Sequence, residues 1–135
     1  MENNGLYKKL ESFFPENLDL MRHLHKDACW EYFISENSTN DEDFKLHYYL
    51  FKKDENTLEM TMEIPNLKPD LILYFTERAI LSLIEGNPSA DEYYTRYRKI
   101  MDNPQPGIEL DNKVNKPTLH LLKLGYRSWR KDFKF

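Results

Sequence analysis

The stretch DLILYFTERAILSLIEGNPSADEYYTRYRKIM, residues 70–101, divides by its own punctuation into a strand and two helices. Leu71-Ile72-Leu73-Tyr74-Phe75 is apolar at every position, the mark of a strand covered on both faces. Thr76 is a helix-capping residue, and Gly86 can close the helix that follows, because glycine tolerates the left-handed backbone found at helix ends. Asn87-Pro88 breaks the chain. Ser89-Ala90-Asp91-Glu92 then opens a second helix with a capping box: the Glu92 backbone N–H can donate to the Ser89 hydroxyl, and the Glu92 carboxylate can reach back. Tyr93, Tyr94, Tyr97, Ile100 and Met101 fall on one face of that helix.

Upstream, Leu6, Leu10, Phe13 and Phe14 predict a short amphipathic helix stopped by Pro15. Asn17 can cap a second helix carrying Leu18, Met21, Leu24 and Ala28 on one face. Cys29-Trp30-Glu31-Tyr32-Phe33-Ile34 can extend that helix or form a first strand, and its aromatic and branched content leans towards strand. Glu36 to Asp43 is a polar loop, Phe44 to Lys52 a strand, and Asp54-Glu55-Asn56 a turn. Thr57 to Ile64 alternates cleanly, with Leu58, Met60, Met62 and Ile64 on the core face and Thr and Glu towards water. Downstream, Asn103-Pro104-Gln105-Pro106-Gly107 is a stiff loop, and Ile108-Glu109-Leu110 is expected as the last strand. Asn115 to Phe133 is expected as one helix, with Leu119, Leu122, Tyr126, Trp129 and Phe133 at 3-4-3-4 spacing and Gly125 in its middle. The sum is an α+β fold in one domain over residues 1–135: a four- or five-stranded, largely antiparallel sheet with helices packed on one face.

The order of parts from about residue 44 to 135 resembles the second half of a sterol carrier protein type 2 domain. In that family a strand ending in Thr or Ser leads into a short helix closed by Gly, followed by a second helix, a last strand and a C-terminal helix. Asp70-Leu71-Ile72-Leu73, Thr76, Ile80, Leu83-Ile84-Glu85-Gly86 and the aromatic helix after Ser89 carry the resemblance. It implies non-enzymatic binding of a lipid-like ligand (fatty acid, acyl-CoA or sterol-like) in an apolar cavity between sheet and helices. Met60, Met62, Leu83, Ile84, Tyr93, Tyr94, Tyr97, Leu122, Tyr126 and Trp129 are the expected lining. Methionine is adaptable there, and tyrosine offers an apolar body with a polar tip at a pocket mouth. The alternative is an interaction protein, a homodimer or accessory subunit, with a filled core and no tunnel.

Net charge is −4, which disfavours a nucleic-acid partner. The charge is uneven: from Lys116 onward six cations face Asp132 alone, so that tail carries +5 and residues 1–115 carry −9. Arg127 and Arg130 are therefore candidates to meet a head group or phosphate, and the basic C-terminal helix to touch a membrane surface. The competing reading docks its aromatics on the sheet and leaves its cations in water. The single cysteine, Cys29, fits a reducing, cytoplasmic setting. The polar start, Met1-Glu2-Asn3-Asn4, lacks a signal-peptide core, and the end lacks a peroxisomal Ser-Lys-Leu address.

No catalytic motif stands out. Four scattered glycines build neither a phosphate loop nor a nucleophile elbow. His23 and His25 would lie about 200° apart on a helix and cannot share a metal. Asp19, His23 and Asp27 could align at i, i+4, i+8, though such a row more simply makes a solvated helix face. His47 and His120 lack local partners. The reading calls for no catalytic residue, no metal and no cofactor.

Overall fold

The computed structural model describes residues 2–135, with side chains from Gly5 onward, so the polar start at Met1-Glu2-Asn3-Asn4 lies outside the described side chains. Helix α1 (Glu2–Glu11) and a 3-10 turn (Leu18–Met21) precede three strands, β1 (Cys29–Ser35), β2 (Leu46–Asp54) and β3 (Thr57–Thr61). Then come β4 (Leu71–Thr76), α2 (Glu77–Ile84), α3 (Ala90–Asp102), β5 (Leu110–Val114), α4 (Thr118–Leu124) and α5 (Tyr126–Asp132). The five strands form one sheet in the order β3-β2-β1-β4-β5. Every neighbouring pair is antiparallel except β1 and β4, which run parallel. Cys29–Ile34 is thus strand, and it is the central one, hydrogen-bonded to β2 along one edge and β4 along the other. Its Glu31 and Phe33, like Ile72 and Tyr74 of β4, are only half-buried, so the expectation of a β4 covered on both faces is corrected.

Register puts one layer of side chains towards the helices. Tyr32 lies opposite Tyr48 on β2 and Leu73 on β4, and Ile34 opposite Leu46 and Phe75. The Tyr32 ring stacks on Tyr48 at 4.5 Å and on Phe75 at 5.8 Å. Phe14 and Tyr93 close over this stack from the helical side. The opposite face carries no helix. There Phe33 stacks on His47 at 4.3 Å and on Tyr74 at 5.4 Å, with Phe44 beside it.

Local signals hold where they were strongest. The Ala79 N–H donates to the Thr76 hydroxyl and the Glu92 N–H to the Ser89 hydroxyl, at 3.3 and 3.2 Å. Gly86 has φ +76° just beyond α2. The Glu92 carboxylate does not reach back; it turns along the helix to Arg96 at 3.0 Å.

Four elements differ from expectation, each for a physical reason. The second helix is only a 3-10 turn, since His23 and Asp27 take positive φ; Asp19, His23 and Asp27 therefore never share a helix face. Strand β3 stops at Thr61, whose hydroxyl accepts the Glu63 N–H and bends the chain, leaving Met62 49% exposed and Ile64 in water. The last strand starts at Leu110, because Ile108 instead pairs with Gln105 across the Pro106-Gly107 turn. The C-terminal helix breaks at Gly125, which has φ +97°. A Cβ there would lie 2.1 Å from the His23 carbonyl oxygen, so only glycine lets the chain pass. The break removes Leu119 and Leu122 from the stripe of Tyr126, Trp129 and Phe133: the first two are exposed, the other three buried.

Candidate functional site

Between the sheet and the helical layer, on the β1-β4-β5 side, lies a cavity of about 490 Å³. That is within the range of small-molecule sites, roughly 300–1,000 Å³. Its floor is Trp30, Tyr32, Leu71 and Leu73; β5 adds Asn112 and Val114. Helix α3 contributes Tyr93, Tyr94, Tyr97 and Met101, and the C-terminal helices contribute Leu121, Tyr126 and Trp129. Arg98, Arg130, Lys134, Asp102 and Phe135 complete the lining. A second hollow of about 620 Å³ between α1 and α2 is more open, with Lys9, Ser12, Arg78, Glu85 and Asn87 among its lining residues. It is larger, yet its wider mouth and somewhat more polar lining make it a surface groove rather than an enclosed apolar site.

The wall of the 490 Å³ cavity is apolar because the protein consumes the polar tips of its own aromatics. Tyr94 Oη donates to the Leu20 carbonyl at 2.8 Å, and Trp129 Nε1 donates to the same oxygen at 2.9 Å. Trp30 Nε1 donates to Tyr126 Oη at 2.9 Å, and that hydroxyl donates on to Asp70 Oδ2 at 2.7 Å. Tyr97 Oη accepts from Asn112 Nδ2 at 3.1 Å. The expectation of tyrosine tips at a pocket mouth is therefore corrected for Tyr94, Tyr97 and Tyr126, whose tips are tied to protein partners. Burial raises the phenol pKa of Tyr94 and Tyr126 well above the usual value and pushes Tyr97 up to about 12, so these phenols stay neutral at ordinary pH. Tyr32, on the floor, keeps a buried hydroxyl without a partner, as does Tyr48 behind it.

Asp70 anchors this corner. It is fully buried, accepts the Cys29 N–H at 2.9 Å, and has Lys116 Nζ 2.6 Å from its other oxygen, an ion pair set off the hydrogen-bond direction. Burial, with Asp70 next in weight, pushes the neighbouring Cys29 thiol up to about 12, far from a reactive thiolate.

Of the residues expected to line a cavity, Tyr93, Tyr94, Tyr97, Tyr126 and Trp129 do so. Met60 and Leu83 lie in the packed core, Ile84 lines the open groove, and Met62 and Leu122 face solvent. Arg130 stands in the cavity lining, whereas Arg127 lies outside it. The sequence reading missed Trp30, Leu73 and Leu121, and it missed Arg98 in the rim. The aromatic spacing on α3 was the one available signal; the rest depends on strand pairing.

Two other groupings come from distant residues. His47 Nε2 lies 2.6 Å from the Glu31 carboxylate on the helix-free face, with Tyr49 Oη donating to the same oxygen. The Glu109 carboxylate accepts from Ser38 and Thr39. Among the described residues no three His, Cys, Asp or Glu side chains gather as a metal site, and no helix is long and apolar enough to cross a membrane. Compared with known proteins, the chain matches no family model and no curated sequence.

Proposed function

We propose that the protein is a non-enzymatic carrier that binds a long, lipid-like apolar ligand in the cavity between its sheet and its helices. The observation that carries this reading is the treatment of the aromatic wall. Tyr94, Tyr126, Trp129 and Trp30 spend their polar tips on protein partners, so ring faces are what remains for an occupant. Arg98, Arg130 and Lys134 at the rim outnumber Asp102, which suits a ligand with an anionic end, such as a fatty acid or acyl-CoA. The sequence of β4, capped α2, α3, β5 and C-terminal helices is the order implied by the resemblance to the sterol carrier protein type 2 family, and it supports the same reading. A cytoplasmic setting accords with the unpaired Cys29.

The first test is native mass spectrometry of the purified protein, followed by organic extraction and titration with a fluorescent fatty acid. The reading expects a long-chain molecule to be carried or taken up, and Leu121→Trp, which fills the cavity from a partly exposed position, to weaken uptake on the order of tenfold. A protein that is empty and takes up no probe overturns it. The stacked Phe33, His47 and Tyr74 on the helix-free face favour a second reading, an interaction protein acting through that surface. The same spectrum reads its prediction, a dimer or larger species.

A further inference from the structure

Helix α4 has no buried residue, although five of its seven positions are threonine or leucine and four are leucine. Leu119 is 74% exposed and Leu122 47%. They stand three apart and so share a face. Val114, 64% exposed, and Met101, also exposed, extend apolar surface along the cavity lining, and Leu121 of α4 belongs to that lining too. Leu121 and Leu124 are half-buried against the core, but Leu119 and Leu122 are unexplained by the fold, because exposed leucine contributes no packing.

The charge around it is equally specific. Several cations elsewhere are held in ion pairs: Arg22 with Asp91 and Asp132, Lys45 with Glu77, Arg96 with Glu92, Lys116 with Asp70. Among the described residues, no carboxylate lies within ion-pair distance of Lys123, Arg127, Arg130 or Lys134. Lys123 sits on α4 one turn from Leu119, Arg127 lies on α5 just past the Gly125 break, and Arg130 and Lys134 rim the cavity. Exposed leucines flanked by unpaired cations match the two-part requirement for binding a lipid surface, apolar side chains for the acyl boundary and positive charge for anionic head groups.

We infer that the α4 face, Leu119 and Leu122 with Lys123, docks the protein on an anionic lipid bilayer with the cavity mouth turned towards it, and that Arg127, just past the Gly125 break, adds to its positive charge. Docking stands by itself; only passage of a ligand through that mouth rests on the carrier reading above. A membrane fits this face better than a protein partner because the charge from Lys116 onward is six cations against Asp132 alone and the apolar part is a small tip instead of a large flat patch.

The test is co-sedimentation of the full chain with vesicles of phosphatidylcholine containing phosphatidylserine, against phosphatidylcholine alone, at low and high salt. Binding is expected to the anionic vesicles only, and to fall with salt. Leu119→Ser with Leu122→Ser is expected to weaken partitioning on the order of tenfold or more, as is Lys123→Gln with Arg127→Gln. All four positions are exposed, so circular dichroism should show unchanged folding. No binding to anionic vesicles, or binding indifferent to the leucine pair, overturns the inference. So does a concentration-dependent dimer abolished by the same leucine pair, which would assign the face to a second copy of the chain. Fatty-acid uptake measured without vesicles reads the carrier proposal separately, so failure of either is told from failure of the other.

Discussion

Gly125 and Asp70 are the two residues on which distant parts of the chain converge, and both invite substitution. Gly125 combines φ +97° with a backbone oxygen in the place its Cβ would take. Gly125→Ala must therefore move the His23 segment or the α4–α5 junction, and is expected to cost more than about 2 kcal/mol. Urea denaturation measures it; an unchanged midpoint would mean the His23 segment shifts freely. Asp70 holds Cys29, Tyr126 and Lys116 around one buried carboxylate. Asp70→Ala leaves an ammonium and a phenol without their acceptor, with an expected loss of about 3–5 kcal/mol. Most of that should reappear as coupling in a double-mutant cycle with Lys116→Met, whereas additive losses would show that the pair does not interact. In the sequence Asp70 reads only as the edge of a strand. Its partners lie 41 and 56 residues away at Cys29 and Tyr126, and no spacing rule reaches that far.

At the scale of elements, what was legible was what is local. A cap acts over three residues, so Thr76 and Ser89 announce α2 and α3 without help from the rest of the chain. Strand β4 and the tyrosine face of α3 are equally self-contained, and with them half of the cavity wall. The parallel pairing of β1 with β4 joins residues about forty apart, so the cavity floor had no signature. Helix α4 misled because its leucines continue the 3-4 spacing of α5 while Gly125 breaks the axis between them. The two caps differ in a testable way. The Ser89 hydroxyl accepts only the Glu92 N–H, and Ser89→Ala should cost about 1 kcal/mol. The buried Thr76 hydroxyl also accepts the Glu109 N–H at 3.1 Å, tying α2 to the approach of β5. Thr76→Ala should therefore cost about 2 kcal/mol. Equal losses in thermal or chemical unfolding would show that the tie to Glu109 contributes nothing.

For the whole molecule, the helical layer stays closed over the cavity through contacts between its two walls, and one of them titrates. The Arg22 guanidinium donates to Asp91 near the start of α3 at 3.1 Å and to Asp132 at the end of α5 at 2.8 Å, and it covers the Phe133 ring. His23 reaches the same Asp132 oxygen at 3.1 Å, and Asp19 stands 3.5 Å from Arg22. Hydrogen bonds from Arg22 first, and from His23 next, hold the Asp132 carboxyl below the usual carboxylate range. A folded-state pKa below the unfolded one means that the stabilisation is fully present above the unfolded value, about 4, and is lost as pH falls through the lower folded value. Solvent screens the pair, so the effect on global stability is small, but its pH dependence has a definite sign. Asp132→Asn should be slightly less stable than the parent above about pH 5, and the gap should close as acid protonates the parent's carboxyl. Urea midpoints of the two proteins across that range decide it. A gap that persists unchanged into acid would mean that Asp132 supports α5 by packing alone, and that the tie between the cavity walls does not depend on its charge.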